Sequence, residues 1–419
     1  ITLHSDSNAV INIVDLKGLS KNNIPMNYNI VFKVLNDDTN AVLYLDESDG
    51  GIIQKYKSTS DLSEFYNSST DTYEVTSDGF IGTMGVGLDS SKKSIIVGNL
   101  TGYDVLNYLN IQSNLKRKFI VLSTGYKTSK SIGVTASGSM EVVGDGTDKT
   151  LYVIDLSDTY SGFEINNTTN LTIKNVTIAN ALSNPTYQAG SVLNVLNSTS
   201  TIIINNVLFK NNIARLSGGV IHNEGIITEL VNSSFINNGV YSYDSSTLIH
   251  GGAIYSETDM TIKADKGVSE FDGNFIQTAI GEKSYESVYI SKNTSTLTLN
   301  SINYGQIIFN DSINGVNGYK LNVTGDETGS VYLNNKIYNA NVELNNVTMN
   351  IGTDTFMNTD STLNVKTGIL STKDNVYSNY VIDTLTTSSN ARYLLDFSLY
   401  IDEATNTLKY NTDTITVSN

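Results

Sequence analysis

From about residue 131 onward the chain is a succession of short runs in which apolar and polar residues alternate, each broken by Gly, Asn or Asp after a few positions. SIGVTASGSMEVVGDGTDKTLYVIDL (131–156) and FEINNTTNLTIKNVTIANA (163–181) set this texture. A period of two puts successive side chains on opposite faces, so these runs predict strands with one face buried. Leu171 and Ile173 alternate, and Val176 and Ile178 alternate again after a slip of phase at Asn175. Such a slip is expected where one sheet hands over to the next, and Asn recurs at comparable places, Asn206, Asn232 and Asn346. Asn tolerates left-handed dihedrals, and amides stacked from coil to coil would bond one another as in cross-β ladders. The alternation persists in STLTLNS (295–301), GQIIFND (305–311), VELNNVTMNIG (342–352) and STLNVKTGIL (361–370).

Between 199 and 274 the pattern repeats itself. TIIINNVLFKNN (201–212), ITELVNSSFINN (227–238) and MTIKADKGVSEFDGN (260–274) each end in Phe-x-x-Asn, at Phe209 and Asn212, Phe235 and Asn238, Phe271 and Asn274. Between them, SGGVIHN (217–223) and HGGAIYS (250–256) place the pairs Gly218-Gly219 and Gly251-Gly252 before short apolar runs. The phenylalanines lie 26 and 36 residues apart and the glycine pairs 33. A unit of this length built from short strands cannot bury its own apolar face and must stack on its neighbours, which predicts a solenoid of β-coils. Phe is expected to fill the core, Asn to take the corner, and Gly-Gly to bend where a side chain would collide. At roughly 25 residues per coil the repetitive part makes about a dozen rungs rising about 4.8 Å each.

The Gly-Gly-Val-Ile of 218–221, the Gly-Gly-Ala-Ile of 251–254 and the three Phe-x-x-Asn tetrads resemble the repeats of chlamydial polymorphic outer-membrane proteins, which occur also in adhesin-like surface proteins of gut bacteria and archaea. The resemblance implies a right-handed parallel β-helix passenger on the cell surface, often carried by an autotransporter barrel. Residues 318–346 and 393–418 look like the region where such passengers approach their barrel. No catalytic residue is inherited from that family.

The expected architecture is therefore all-β: an irregular β-rich cap or first part of the solenoid over 1–130, a β-helix over 131–380 and a closing unit over 381–419. In the first part INIVDL (11–16), NIVFKVL (29–35) and AVLYLDE (41–47) read as strands, and DVLNYLNIQSNLKRK (104–118) permits a short helix. Terminal units must blunt an exposed sheet edge and are usually atypical.

Composition supports this picture. Two prolines in 419 residues suit continuous sheets, and an apolar content of 39% is too high for disorder. A net charge of −16 without a basic stripe repels polyanions, which argues against nucleic acid as partner; the run Lys116-Arg117-Lys118 reads as a solvated loop. No cysteine is present, so there is neither a disulfide nor a thiolate metal site. The chain opens ITLHSDSNAV, unlike a signal peptide, and no apolar run reaches the length of a membrane helix. The 419 residues are thus expected to be a segment whose targeting and anchoring parts lie elsewhere, with no membrane insertion of its own.

A β-helix can also be a polysaccharide hydrolase or lyase. Of the polygalacturonase-type signatures, Asn-Thr-Asp occurs at 358–360 and 411–413 and Asp37-Asp38 precedes both, but Gly-His-Gly and Arg-Ile-Lys are absent. With 42 acids, chance carboxylate pairs at hydrolytic spacing carry no information. The only arginines are Arg117, Arg215 and Arg392, and the only histidines His4, His222 and His250. His222 and His250 flank the glycine pairs on opposite sides, so a shared site is not expected. The acidic turns DESDGG (46–51) and GDGTD (144–148) have oxygen ligands but match no calcium-binding pattern, so no metal or cofactor is expected.

Loop length is the remaining signal. Five residues separate Asn212 from Gly218, but twelve, GVYSYDSSTLIH, separate Asn238 from Gly251. Extra residues in a solenoid bulge outward, often on the recognition face. The bulge carries Tyr241, Tyr243 and Asp244, whose rings can stack on a sugar or anchor a protein contact. The function expected is that of a monomeric surface adhesin or passenger segment meeting an unidentified host-surface protein or glycan. A β-helical polysaccharide-degrading enzyme and a trimeric phage tail-spike segment are the rivals.

Overall fold

The computed structural model describes residues 141–419 apart from 145, 166–168, 184–185, 187, 197–198, 245–247, 353–360, 375, 403, 405–406 and 418–419; before 141 it gives the backbone of short strands only. The turn 46–51, Asp37-Asp38 and His4 lie outside the described residues, as does most of the expected cap over 1–130. Lys116-Arg117-Lys118, expected as a solvated loop, instead opens the strand Lys116–Val121, which pairs in parallel with Gly138–Gly144. The chain is all-β and forms stacked parallel sheets, a parallel β-helix. It divides into two compact units, residues 1–182 with 199–208 and residues 183–198 with 209–419.

In the first unit Gly138–Gly144, Thr169–Lys174 and Thr201–Asn205 pair in parallel, with Val142 opposite Ile173 and Ile173 opposite Ile204. All three are fully buried, because a shared register stacks the same face of every strand on the core. The chain then turns at Asn175 (φ 55°) and Asn206 (φ 53°) into a second sheet. The Asn206 Nδ2 donates to Asn175 Oδ1 at 2.9 Å, so the corner amides bond along the stack.

The second unit has three walls. The first is Ile227–Val231, Met260–Asp265, Thr296–Ile302, Tyr319–Gly325, Ala340–Asn345, Thr362–Val365 and Thr384–Thr387. The second includes Ser234–Ile236, Val268–Asp272, Gln306–Phe309, Ser330–Leu333, Thr348–Ile351, Gly368–Ser371 and Ala391–Leu394. The third stacks Leu193, Ile221, Ile254, Val288 and Ile313 in one buried column. Asn232 (φ 49°) and Asn346 (φ 52°) occupy the corner between the first two walls.

The rungs are not uniform. Ile262 pairs with Leu299, 37 residues on, while Leu299 pairs with Val323, Val323 with Leu344 and Leu344 with Val365, steps of 24, 21 and 21. The long rungs carry additional strands outside the walls. Ile213–Ala214, Gly239–Ser242 and Phe275–Thr278 pair in parallel as a lateral flange, and Phe275 pairs antiparallel with Tyr285. Ala214, Val240 and Ile249 form a small core of their own there, against which Ile276 packs.

Phe209, Phe235 and Phe271 are fully buried and face one another, with ring centroids 4.8 and 4.7 Å apart; Phe309 continues the column at 4.2 Å. The Phe-x-x-Asn asparagines do not take the left-handed corner predicted for them. That conformation falls one residue earlier, at Asn211 (φ 57°), Asn237 (φ 53°) and Gly273 (φ 68°). Asn212, Asn238 and Asn274 point inward instead and are fully buried. Each Nδ2 donates to the Oδ1 of the next rung, Asn212 to Asn238 and Asn238 to Asn274, both at 2.9 Å, and the Asn274 Nδ2 donates to the Asp311 carboxylate at 3.0 Å. A buried amide needs both its donors and its acceptor satisfied, and a register-matched copy supplies them.

The glycine pairs divide their labour. Gly218 (φ 60°) and Gly251 (φ 68°) take left-handed dihedrals, whereas a Cβ on Gly252 would sit 2.4 Å from the Glu286 carbonyl oxygen and 2.5 Å from the Phe275 nitrogen. The second glycine thus serves close approach of backbones rather than the bend.

Parallel stacking continues through Thr384–Thr387 and Ala391–Leu394. A hairpin, Phe397–Asp402 with Thr407–Thr412, follows, and Thr414–Val417 returns to pair with Asn379–Ile382. The buried Asp413 carboxylate ties this end together, accepting from Thr372 Oγ1 at 2.5 Å and from the Ser378 and Asp396 amides at 2.9 Å.

Candidate binding face

The twelve-residue bulge begins as the flange strand Gly239–Ser242, so its first residues are fixed by pairing. Tyr241 is half-buried and opposite Gln277. Tyr243 is 69% exposed, with its ring edge-on to Tyr241 at 5.2 Å and 87°. Asp244 is exposed, and its amide is held by Ser242 Oγ at 3.2 Å. Residues 245–247 lie outside the described residues, Leu248 is exposed, and Ile249 returns to the flange core.

Arg215 joins this group. Its guanidinium lies over the Tyr243 ring at 4.2 Å, a cation–π contact, and its backbone amide is fixed by the Gln188 carbonyl. On the same flange Lys283 covers the Phe275 ring at 4.0 Å. Tyr and Arg held rigidly at the surface are the side chains that dominate recognition hot spots.

A second cluster sits on the outward side of the third wall. The register places Asn194, His222, Tyr255, Tyr289 and Asn314 at one position on successive strands. His222 stacks on Tyr255 at 5.0 Å, Tyr255 on Tyr289 at 5.7 Å, and His250 on Tyr289 at 3.8 Å. The two histidines that the sequence sets on opposite sides of the glycine pairs thus meet in one ring stack. Glu286, almost wholly buried, accepts from the Gly251 amide at 2.7 Å and Asn314 Nδ2 at 2.8 Å, and lies 3.5 Å from His250 Nδ1. Burial, with the nearby Glu286 charge adding to it, raises the Tyr289 phenol above its ordinary value. In this stack each ring covers its neighbour's face, leaving edges rather than platforms.

The stack includes a Ser-His-Glu sequence of contacts: Ser217 Oγ to His222 Nδ1 at 2.9 Å, and His222 Nε2 to Glu224 Oε1 at 3.1 Å. A nucleophilic triad needs an accessible serine, a sheltered acid and donors aimed at the developing oxyanion. Here Ser217 is buried and the Glu224 side chain is 43% exposed. The amides beside the serine are committed, Gly218 to the His250 carbonyl and Gly219 to the Gly251 carbonyl. These contacts brace the glycine corner.

Among the described residues no three His, Cys, Asp or Glu side chains come together to hold a metal ion. Asp148, in the acidic turn 144–148, caps a short 3-10 turn by accepting from Thr150 Oγ1 at 2.7 Å and the Thr150 amide at 3.1 Å, which lowers its pKa. No helix among the described residues is long and apolar enough to cross a membrane.

The class defined by this geometry is a parallel β-helix with a lateral, aromatic-bearing flange. Compared with family models, with curated proteins and with solved structures, the chain matches none.

Proposed function

We propose that the chain is the binding part of a surface-displayed adhesin, a β-helical scaffold whose flange offers Tyr241, Tyr243, Asp244 and Arg215 to a glycan or protein on another cell. The observation that carries this reading is the contact of exposed Tyr243 with half-buried Arg215, each just past the end of a flange strand. The ring meets Tyr241 edge-on and the Arg215 guanidinium, and Ala214 and Val240 of the flange strands pack with Ile249 in a core of their own. The resemblance of the Gly-Gly and Phe-x-x-Asn repeats to those of adhesin-like surface proteins, and the acidic, proline-poor composition, support it. Fixed rings lose little entropy on contact, which favours them as anchors over mobile side chains.

The test is binding of the purified chain to glycan arrays and to whole cells, with and without Tyr243→Ala. Removal of one central aromatic anchor is expected to weaken binding by a factor of about 30 or more while leaving the unfolding midpoint in place. An equal affinity of the two proteins for every surface bound by the wild type refutes the assignment.

A further inference from the structure

The hairpin Phe397–Asp402 with Thr407–Thr412 has a face with nothing over it among the described residues. Cross-strand pairs set Phe397 opposite Thr412, Leu399 opposite Tyr410 and Ile401 opposite Leu408, and strand alternation puts all six on one side. Five of them are large and apolar, and they are exposed by 60% (Phe397), 58% (Leu399), 63% (Ile401), 67% (Leu408) and 65% (Tyr410). The other side carries Ser398, Tyr400, Asp402, Thr407, Lys409 and Asn411, with Asp402 and Lys409 paired to each other. Both of the hairpin strands' charges are thus on the polar side and mutually neutralised.

A two-stranded hairpin is marginal in water unless its apolar face is covered. A contiguous exposed apolar patch of several hundred Å² marks a contact site. We propose that this face is a self-association surface, packed in the assembled protein against the same face of a second copy.

Two observations select a second copy. At the exposures above, five large side chains present about 600 Å², since each offers ~150–250 Å² in full, and two copies together remove about 1,200 Å², the lower bound for a stable interface. The face is also free of charge, so two copies of a chain with net charge −16 can meet there without opposing like charges. An isologous contact also follows from the pairing, because a face of three cross-strand pairs lies flat on its own two-fold copy. On this proposal the chain pairs through Phe397–Asp402 and Thr407–Thr412, where the sequence reading expected a monomer.

The test is sedimentation velocity of the 419-residue chain up to about 50 μM, above the micromolar affinities that weak interfaces of this size reach. The wild type is expected to sediment as a dimer at the upper concentrations. The double substitution Leu399→Lys with Leu408→Lys, which sets like charges into the face, is expected to weaken association at least tenfold, whereas Tyr400→Lys on the polar side leaves it unchanged. Should the double variant fail to fold by circular dichroism, hydrogen exchange of wild-type peptides over 397–412 decides: protection must rise with protein concentration. A wild-type monomer throughout, whether inert or bound to lipid vesicles, overturns the proposal, as does a dimer indifferent to the lysines.

Discussion

Replacing Asn238 by alanine tests whether the buried amide ladder is a principal support of the second unit. Its Oδ1 accepts from the Asn212 amide at 3.0 Å and from Asn212 Nδ2 at 2.9 Å, and its Nδ2 donates to the Phe209 carbonyl at 3.1 Å and to Asn274 Oδ1 at 2.9 Å. All the partner groups belong to a fully buried region, where water cannot replace what is removed. Four bonds at a net ~1 kcal/mol each give a loss of about 4 kcal/mol, a large share of the stability of an ordinary domain. Asn238→Asp is expected to be as damaging or worse, because it keeps the shape but turns the donor that meets Phe209 and Asn274 into a charged acceptor. Solenoids can unfold piecewise, so a single global midpoint is the wrong readout. Hydrogen exchange by mass spectrometry over peptides spanning 205–245, and separately over 340–370, reports the local effect. Protection should fall in the first and persist in the second. A change below about 0.5 kcal/mol in the first window would mean that the amides are passengers of the phenylalanine packing.

Two further outcomes follow from the geometry. Gly252→Ala is expected to cost about 3 kcal/mol or more, since its Cβ meets backbone atoms of Glu286 and Phe275 that cannot swing aside; hydrogen exchange over peptides spanning 248–260 checks this, and unchanged protection there would contradict it. Burial raises the Asp311 pKa above its ordinary value, although the Asn274 amide, Ser287 Oγ, Asn274 Nδ2 and the Gly273 amide all favour the carboxylate. With the folded value raised, its contribution to stability is complete below the unfolded value of about 3.9 and is lost as pH rises through the folded one. The stability gap between wild type and Asp311→Asn should therefore narrow as pH rises from acid toward neutrality, and urea titrations showing a constant gap would refute the sign.

The repeat was readable because the same side chains recur where the same environment recurs. Phe209, Phe235 and Phe271 mark one inward position, and the phase slip at Asn175 marks a corner that the backbone does turn. What failed was the choice between adjacent residues. In Lys-Asn-Asn and Ile-Asn-Asn either asparagine can be left-handed, and only the third copy, Asp-Gly-Asn, shows that the middle position does so. Phe309 escaped because its tetrad is shortened to Phe-x-Asp, with Asp311 in the amide's place. Around the candidate site, loop length pointed to Tyr241 and Tyr243, but Arg215 lies 28 residues earlier and reaches Tyr243 through the pairing of Ile213–Ala214 with Gly239 and Val240. In the His222–Tyr255–Tyr289 stack, the 33-residue step of the glycine pairs aligns His222 with Tyr255, but no glycine pair marks the 34-residue step to Tyr289. The alternation in 397–412 reads as a buried face, and a period of two cannot say what does the burying.

The amide ladder also has a direction. In its side-chain bonds each Nδ2 hands one hydrogen to the next rung on the C-terminal side, and the series stops at Asp311, whose carboxylate receives. Duplicating a Phe-x-x-Asn rung is therefore tolerated upstream of Asp311, where each new amide finds a giver before it and a taker after it. A copy pasted downstream would face a carboxylate with no hydrogen to offer, so genes of this kind can lengthen this stretch from one side only.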